Sequence, residues 1–400
     1  MSRKPVTQSL IPVVLAGFLA FLGLYATQPL LPLFQHVFGA SQFTVSLTVT
    51  ATTTAVALAA PFVGRLADVW GKRHVIVGAA FALAATTMLA ATAGTLNQVI
   101  AWRFLLGLVT PGVFAVTVAY IHDRWDPSRA GTATAAYVSG TVVGGFVGRA
   151  TAGMVATAAG WRASFTAVGV MSLACAALLW SVLPADGTPA HGAVRRSRAG
   201  SLVAHLTNRE LMGAYATGFC VLFTQIAMFT YVTFELAGPS FRLTTAALGW
   251  LFAVFLVGAV VTPFAGRAID VYGHRMALVA AMAIGVTGSL LTLGHALAAV
   301  VAGLALVCSG VFIAQAAASS YVGAAATHNR GLAVGLYAMF YYAGGSAGGS
   351  LPAMFWDAGG WRACVALVVV VQLATAAIGW LFWTGRPEGL HYARSLDGQT

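Results

Sequence analysis

Apolar stretches of about 20 residues, each long enough to cross about 30 Å of hydrocarbon, recur along the whole of this chain. Of its 400 residues, 59% are hydrophobic and 8% charged, whereas a soluble domain carries about 25% charged residues. A soluble fold would have nothing with which to cover its surface. The chain therefore reads as an all-α polytopic membrane protein. Twelve helices are expected, over roughly 9–34, 44–66, 75–94, 98–121, 131–157, 162–184, 211–236, 244–267, 276–295, 298–320, 331–356 and 362–384.

One charged turn appears twice. Pro61, Phe62, Gly64, Arg65, Asp68, Val69, Gly71 and Arg73 return as Pro263, Phe264, Gly266, Arg267, Asp270, Val271, Gly273 and Arg275. A second set repeats in the fifth and eleventh helices. There Gly131, Tyr137, Gly144, Gly145, Gly148 and Gly160-Trp161-Arg162 answer to Gly331, Tyr337, Gly344, Gly345, Gly348 and Gly360-Trp361-Arg362. The chain is a duplication. It implies two pseudo-symmetric six-helix bundles with a substrate path at their interface and alternating access by rocking. The halves are expected at 1–184 and 211–384, joined by a cytoplasmic linker over 185–210 and followed by a tail over 385–400.

The net charge of +11 would suggest nucleic acid in a soluble protein, but here the charges fall in short loops. With the N-terminus inside, sixteen Lys and Arg residues lie on the cytoplasmic side, among them Arg3, Lys4, Arg65, Lys72, Arg73 and Arg275. Only Arg162, Arg242 and Arg362 lie outside. That asymmetry places both termini in the cytoplasm and makes the lipid bilayer, not nucleic acid, the partner. Arg3 and Lys4 before an apolar run could begin a signal peptide, but no small-residue cleavage site follows, so the first span is expected to stay uncleaved. Cys175, Cys220, Cys308 and Cys364 all fall in apolar stretches, in no metal-ligand spacing. They read as buried small hydrophobes, with no metal or cofactor implied. Enzymatic chemistry finds no nucleophile–base pair to support it.

The doubled turn, Gly64-Arg-Leu-Ala-Asp68-Val-Trp-Gly71-Lys-Arg73, resembles the loop signature between helices 2 and 3 of the major facilitator superfamily. Arg103-Phe-Leu-Leu-Gly107 is similar to that family's helix-4 motif, and the resemblance extends over all twelve spans. It implies a monomeric secondary transporter of the bacterial inner membrane. It also implies that the two turns gate the cytoplasmic side. Asp68 would face the N-terminus of helix 11 near Gly331, and Asp270 that of helix 5 near Gly131, each attracted by the partial positive charge there. The plain alternative is that the turns fix topology alone. Helix 5 resembles the antiporter signature of efflux members, with two departures: Gly145 stands where proline is usual and Arg149 replaces the last glycine. Gly144, Gly145 and Gly148 equally suit close helix packing.

Two arginines fall within spans, where a charge is costly and usually faces a cavity or a partner. Arg103 is expected to contact ligand or to bond structurally to helix 1. Arg149 can contact ligand, snorkel outward or pair with Glu235. Tyr25 and Gln28 on helix 1, Gln225 and Phe229 on helix 7, and Gln315 on helix 10 are further candidates for the substrate site, although such amides also serve as interhelical bonds. This set describes an aromatic, amide-lined cavity of positive potential, suited to a neutral or anionic small molecule. No phosphate-binding loop of the ATPase type is present. Protons are the coupling ion the resemblance implies, with Glu235, Asp357 and Asp123 as candidate carriers. The expected function is proton-driven export of a small organic compound. Import of an organic anion by symport or uniport is the alternative, and a transport-inactive sensor a more distant one.

Overall fold

The computed structural model of the protein describes residues 9–184, 199–326 and 328–383. Most of the expected linker and the whole tail lie outside that range. Its helices are α1 Ile11–Leu22, α2 Leu31–Phe38, α3 Gln42–Trp70, α4 Lys72–Ala91, α5 Leu96–Arg124 and α6 Pro127–Val182. They continue as α7 Ala199–Thr207, α8 Arg209–Ala237, α9 Thr245–Leu251, α10 Val257–Leu291, α11 Leu297–Ala325, α12 Arg330–Ser350 and α13 Pro352–Phe382. Eight helical stretches are long and apolar enough to cross a membrane. Three of them are two helices joined at a glycine. α6 turns at Gly160 with φ 82°, α10 at Gly273 with φ 81°, and α13 at Gly360 with φ 62°. Only glycine adopts such left-handed backbone without strain, so helices 5 and 6, 8 and 9, and 11 and 12 separate there. The result is the twelve-helix, all-α fold in two pseudo-symmetric halves.

Local signals set the helix starts. The hydroxyls of Ser41 and Thr244 accept from the backbone N–H of Thr44 and Ala247, capping α3 and α9 at equivalent points of the two halves. Thr95 caps α5 in the same way. Large apolar side chains such as Leu58, Val170, Leu178, Val260 and Leu373 stay exposed on the perimeter, as a surface facing lipid requires. The end of the bundle that holds the turns at Gly71 and Gly273 is called the basic end below.

The duplication is visible in packing. Within each half the fifth helix lies glycine-first on the first. A Cβ at Gly144 or Gly148 would lie 2.1 or 1.7 Å from the carbonyl oxygen of Phe18 or Leu22. At Gly344 or Gly348 it would lie 1.9 or 2.5 Å from that of Phe219 or Phe223. Backbone meets backbone at the same four places. Between the halves, α3 packs against α12 and α6 against α9.

Three expectations need correction. The first helix, expected unbroken over 9–34, stops at Leu22 and resumes at Leu31, with a 3₁₀ turn at Gln28–Leu30 between. The eighth, expected unbroken over 244–267, contains a 3₁₀ turn at Phe252–Leu256. Both breaks lie in apolar sequence with no charge to announce them. The linker carries a helix, α7, with Leu202, Val203 and Leu206 exposed on it.

Candidate substrate cavity

Between the halves lies a cavity of about 640 Å³. Its wall takes one stripe from each of several helices. From α6 come Tyr137, Thr141, Gly145 and Arg149, from α12 Tyr337, Tyr341 and Tyr342, and from α11 Phe312, Gln315 and Ser319. Phe21 and Tyr25 of the first helix, Phe114 of α5, Gln225 of α8 and Phe255 of the 3₁₀ turn complete it. Spacings of three and four residues put each set on one helix face. The cavity is open at the basic end, where the exposed Gly266 and Asp270 lie on its rim.

The opposite end is shut by contacts across the halves. Thr54 donates to Ser346 at 3.0 Å, and Ser346 to Thr53 at 3.2 Å. Tyr231, which donates to the carbonyl of Gly349 in its own half at 3.0 Å, lies 3.4 Å from the Ser46 hydroxyl of the first half. Gly153 and Gly249 let α6 and α9 touch through backbone, and the N–H of Ala246 reaches the Thr157 hydroxyl at 2.9 Å.

Arg149 forms the floor of the cavity at this shut end. It is 3% exposed. Its Nε donates to Gln28 Oε1 at 2.8 Å, and its Nη1 to the carbonyl of Gly145 at 2.8 Å. Three rings surround the guanidinium, those of Tyr25, Phe252 and Phe255, with centroids 4.9, 4.8 and 4.9 Å away. Cation–π attraction strengthens in so dry a setting. Gln28, fully buried, passes the contact across the halves, its Nε2 donating to Thr230 at 3.2 Å. Both 3₁₀ breaks thus serve one guanidinium. The first brings Tyr25 and Gln28 to it, the second Phe252 and Phe255. Arg149 neither snorkels outward nor pairs with Glu235.

Arg103 does something else. Its Nη1 donates to the carbonyl of Gly23 at 2.7 Å, which also accepts from the N–H of Ala26, and its Nη2 to that of Leu24, both just past the point where α1 stops. It is 1% exposed and absent from the cavity wall. The structural bond to helix 1 is the alternative that the geometry realises. Phe229 is likewise fully buried behind the wall, packed on Phe255 with ring centroids 4.4 Å apart.

Gln225 and Gln315 do line the cavity, and neither amide has a hydrogen-bond partner among the described residues. The hydroxyls of Tyr25, Tyr337, Tyr341 and Tyr342 are also without protein acceptors there. Tyr337, Tyr341, Tyr342, Phe255 and Phe312 were not expected as site residues. The repeat of Tyr137 as Tyr337 and the one-turn spacing to Tyr341 were the available signals.

Of the carboxylates named as proton carriers, none lines the cavity. Asp123 is paired with Lys72 in an exposed contact at the basic end. Asp357 is exposed near the shut end, and Glu235 is half-buried at the end of α8. The one carboxylate on the wall is Asp270. Close by, His274 shares a 2.7 Å hydrogen bond with the cavity-lining Ser320.

The gate residues are apart in this conformation. Asp68 and Asp270 are exposed and form no hydrogen bond or ion pair among the described residues. A Cβ at Gly64, Gly266, Gly131 or Gly331 would meet open space. Gly64 is thus not closely packed here, whereas Gly71 makes a tight turn, with φ 84°. Arg73 and Arg275 bind the ends of helices 6 and 12. Arg73 donates to the carbonyl of Leu183 at 2.8 Å, and Arg275 stacks on Trp380 at 3.5 Å. Arg65 and Arg267 are exposed on the signature turns.

The chain matches the profile of the Major Facilitator Superfamily over residues 13–244 and again over 217–397. It is 31% identical to the MFS-type transporter YybF of Bacillus subtilis (strain 168) over 362 residues, 90% of this chain and 89% of the relative. It is 30% identical to a chloramphenicol resistance protein of Streptomyces lividans over 244 residues, 60% of this chain and 59% of the relative. In fold it resembles a bacterial homologue of the human lysosomal transporter Spinster, in an inward-facing and occupied conformation. The TM-score is 0.77 at 15% identity, covering 95% of this chain and 97% of that one.

Proposed function

The chain belongs to the Major Facilitator Superfamily, and as a secondary transporter of that family we propose that it exports a small organic compound, driven by protons, through the cavity between its halves. The observation that carries this reading is the cavity itself, which is shut at one end by contacts across the halves and open at the other. With the basic end cytoplasmic, as the arginine asymmetry implies, this is an inward-open state ready to load from the cell interior. The resistance protein from Streptomyces lividans supports export as the direction.

The wall is aromatic, with the unpartnered amides of Gln225 and Gln315 and four tyrosine hydroxyls. Such a surface takes up an apolar body and fixes its orientation by a few hydrogen bonds. Coupling draws on Asp270, the carboxylate on the wall, with His274 and Ser320 beside it. Proteoliposomes with an imposed pH gradient test the reading. A purified transporter moves a bound compound against its gradient when the proton gradient runs the other way, and Asp270→Asn removes the drive while leaving downhill exchange. Equal uphill transport by Asp270→Asn would remove that residue from the coupling step.

A further inference from the structure

Arg149 is held at the floor of the cavity without a carboxylate. The groups that face it are Gln28, the carbonyl of Gly145, the rings of Tyr25, Phe252 and Phe255 and, close by, the Cys308 thiol, with no carboxylate among them. Its Nε and Nη1 are used within the protein, but Nη2 has no acceptor among the described residues. An ionised guanidinium buried to this depth is costly unless its donors are filled. The duplication sharpens the point, since the equivalent of Arg149 in the second half is Gly349. The second half does without a charge at this position.

We infer that Arg149 anchors the anionic group of the substrate through Nη2, so that the transported compound is an amphipathic organic anion with an aromatic or similarly flat body. This deepens the transport reading above and rests on it. The anion enters head first. Its charged group reaches the floor, and its body lies along Phe114, Tyr137, Phe312, Tyr341 and Tyr342. Asp270 on the exposed rim stands at the other end of the cavity and leaves the floor positive. Carboxylates suit the site because the guanidinium is planar and donates along fixed directions. Occupation also bears on the seal, because Arg149 joins the first half to Phe252 and Phe255 of the second. A ligand there pulls on the same guanidinium that closes the floor.

The test uses the full chain in lipid nanodiscs and three probes with one ring system: 2-naphthoate, 2-naphthamide and 2-naphthyltrimethylammonium. Binding is followed by calorimetry. The carboxylate is expected to bind at least roughly tenfold more tightly than the amide, the usual advantage of a charge-assisted hydrogen bond, and the cation least. In Arg149→Gln the carboxylate loses that advantage and binds no more tightly than the amide. Arg149→Lys retains part of it. Equal binding of carboxylate and amide by the unmodified protein, a preference for the cation, or no binding of any probe overturns the assignment even if Arg149→Gln does not fold. Counterflow of the same probes in proteoliposomes separates the two readings. Carboxylate preference without counterflow would keep the anchor and remove transport, and counterflow without preference would do the reverse.

Discussion

Arg103 and Arg149 are both buried guanidiniums in an apolar bundle, yet Arg103 gives both Nη groups to backbone carbonyls away from the cavity and keeps only a buried Nε unfilled, whereas Arg149 lines the cavity with an Nη2 that has no acceptor among the described residues. Arg103 takes two carbonyls just past the end of α1, of which that of Leu24 has no backbone donor. Arg103→Ala is expected to orphan the Leu24 carbonyl, at about 1–3 kcal/mol, and to leave that of Gly23 with the Ala26 N–H alone. Thermal unfolding in detergent should show a marked drop in melting temperature, while ligand affinity in the surviving fraction is unchanged. Weakened binding without lost stability would instead return Arg103 to the substrate site. The sequence displayed both arginines as costly charges inside spans. It did not display their partners, because those are backbone carbonyls and rings that become available only where a helix breaks, and although Gly23 and Pro29 mark where the first helix can break, they do not say what the freed groups meet.

Helices 5 and 11 show the opposite case, in which glycine spacing spoke directly. Gly144 and Gly148 seat on Phe18 and Leu22, and Gly344 and Gly348 on Phe219 and Phe223. Gly148→Ala would place a methyl 1.7 Å from the Leu22 carbonyl, and overpacking of this kind costs about 1–3 kcal/mol. Reduced yield of folded protein and a lower melting temperature are expected. Gly64→Ala makes a contrast, since a Cβ there meets nothing. It should leave this conformation as stable or up to about 1 kcal/mol more so, by helix propensity. Slower turnover in the same variant would show that Gly64 becomes crowded when the basic end closes. The signature turns and the glycine stripe were legible because each makes a local demand on the backbone. The tyrosines of α12 were less so, for an aromatic stripe in a membrane helix reads equally as core.

At the scale of the whole molecule, two halves close on each other through Thr54 and Ser346 at one end and stand apart at the other. A Thr54→Cys, Ser346→Cys pair should form a disulfide that holds this closure. Transport is expected to stop on oxidation and return on reduction, with binding from the basic end intact throughout. Transport by the oxidised protein would rule out opening at that end. The two-half architecture was legible from the repeats, but the state was not, because both states of a rocking transporter share one sequence.

Arg149 also has an electrical consequence. With no acidic group against it, its charge sits inside the low-dielectric part of the fold whenever the cavity is empty. A bound anion would neutralise it. Membrane voltage then acts on the unloaded carrier rather than the loaded one, by up to about 2.3 kcal/mol per 100 mV for a full charge crossing the field. The return of the anion-free carrier, not the passage of cargo, becomes the step in which the Arg149 charge crosses the field uncompensated, and transient currents recorded from reconstituted protein should shrink as the anion saturates it.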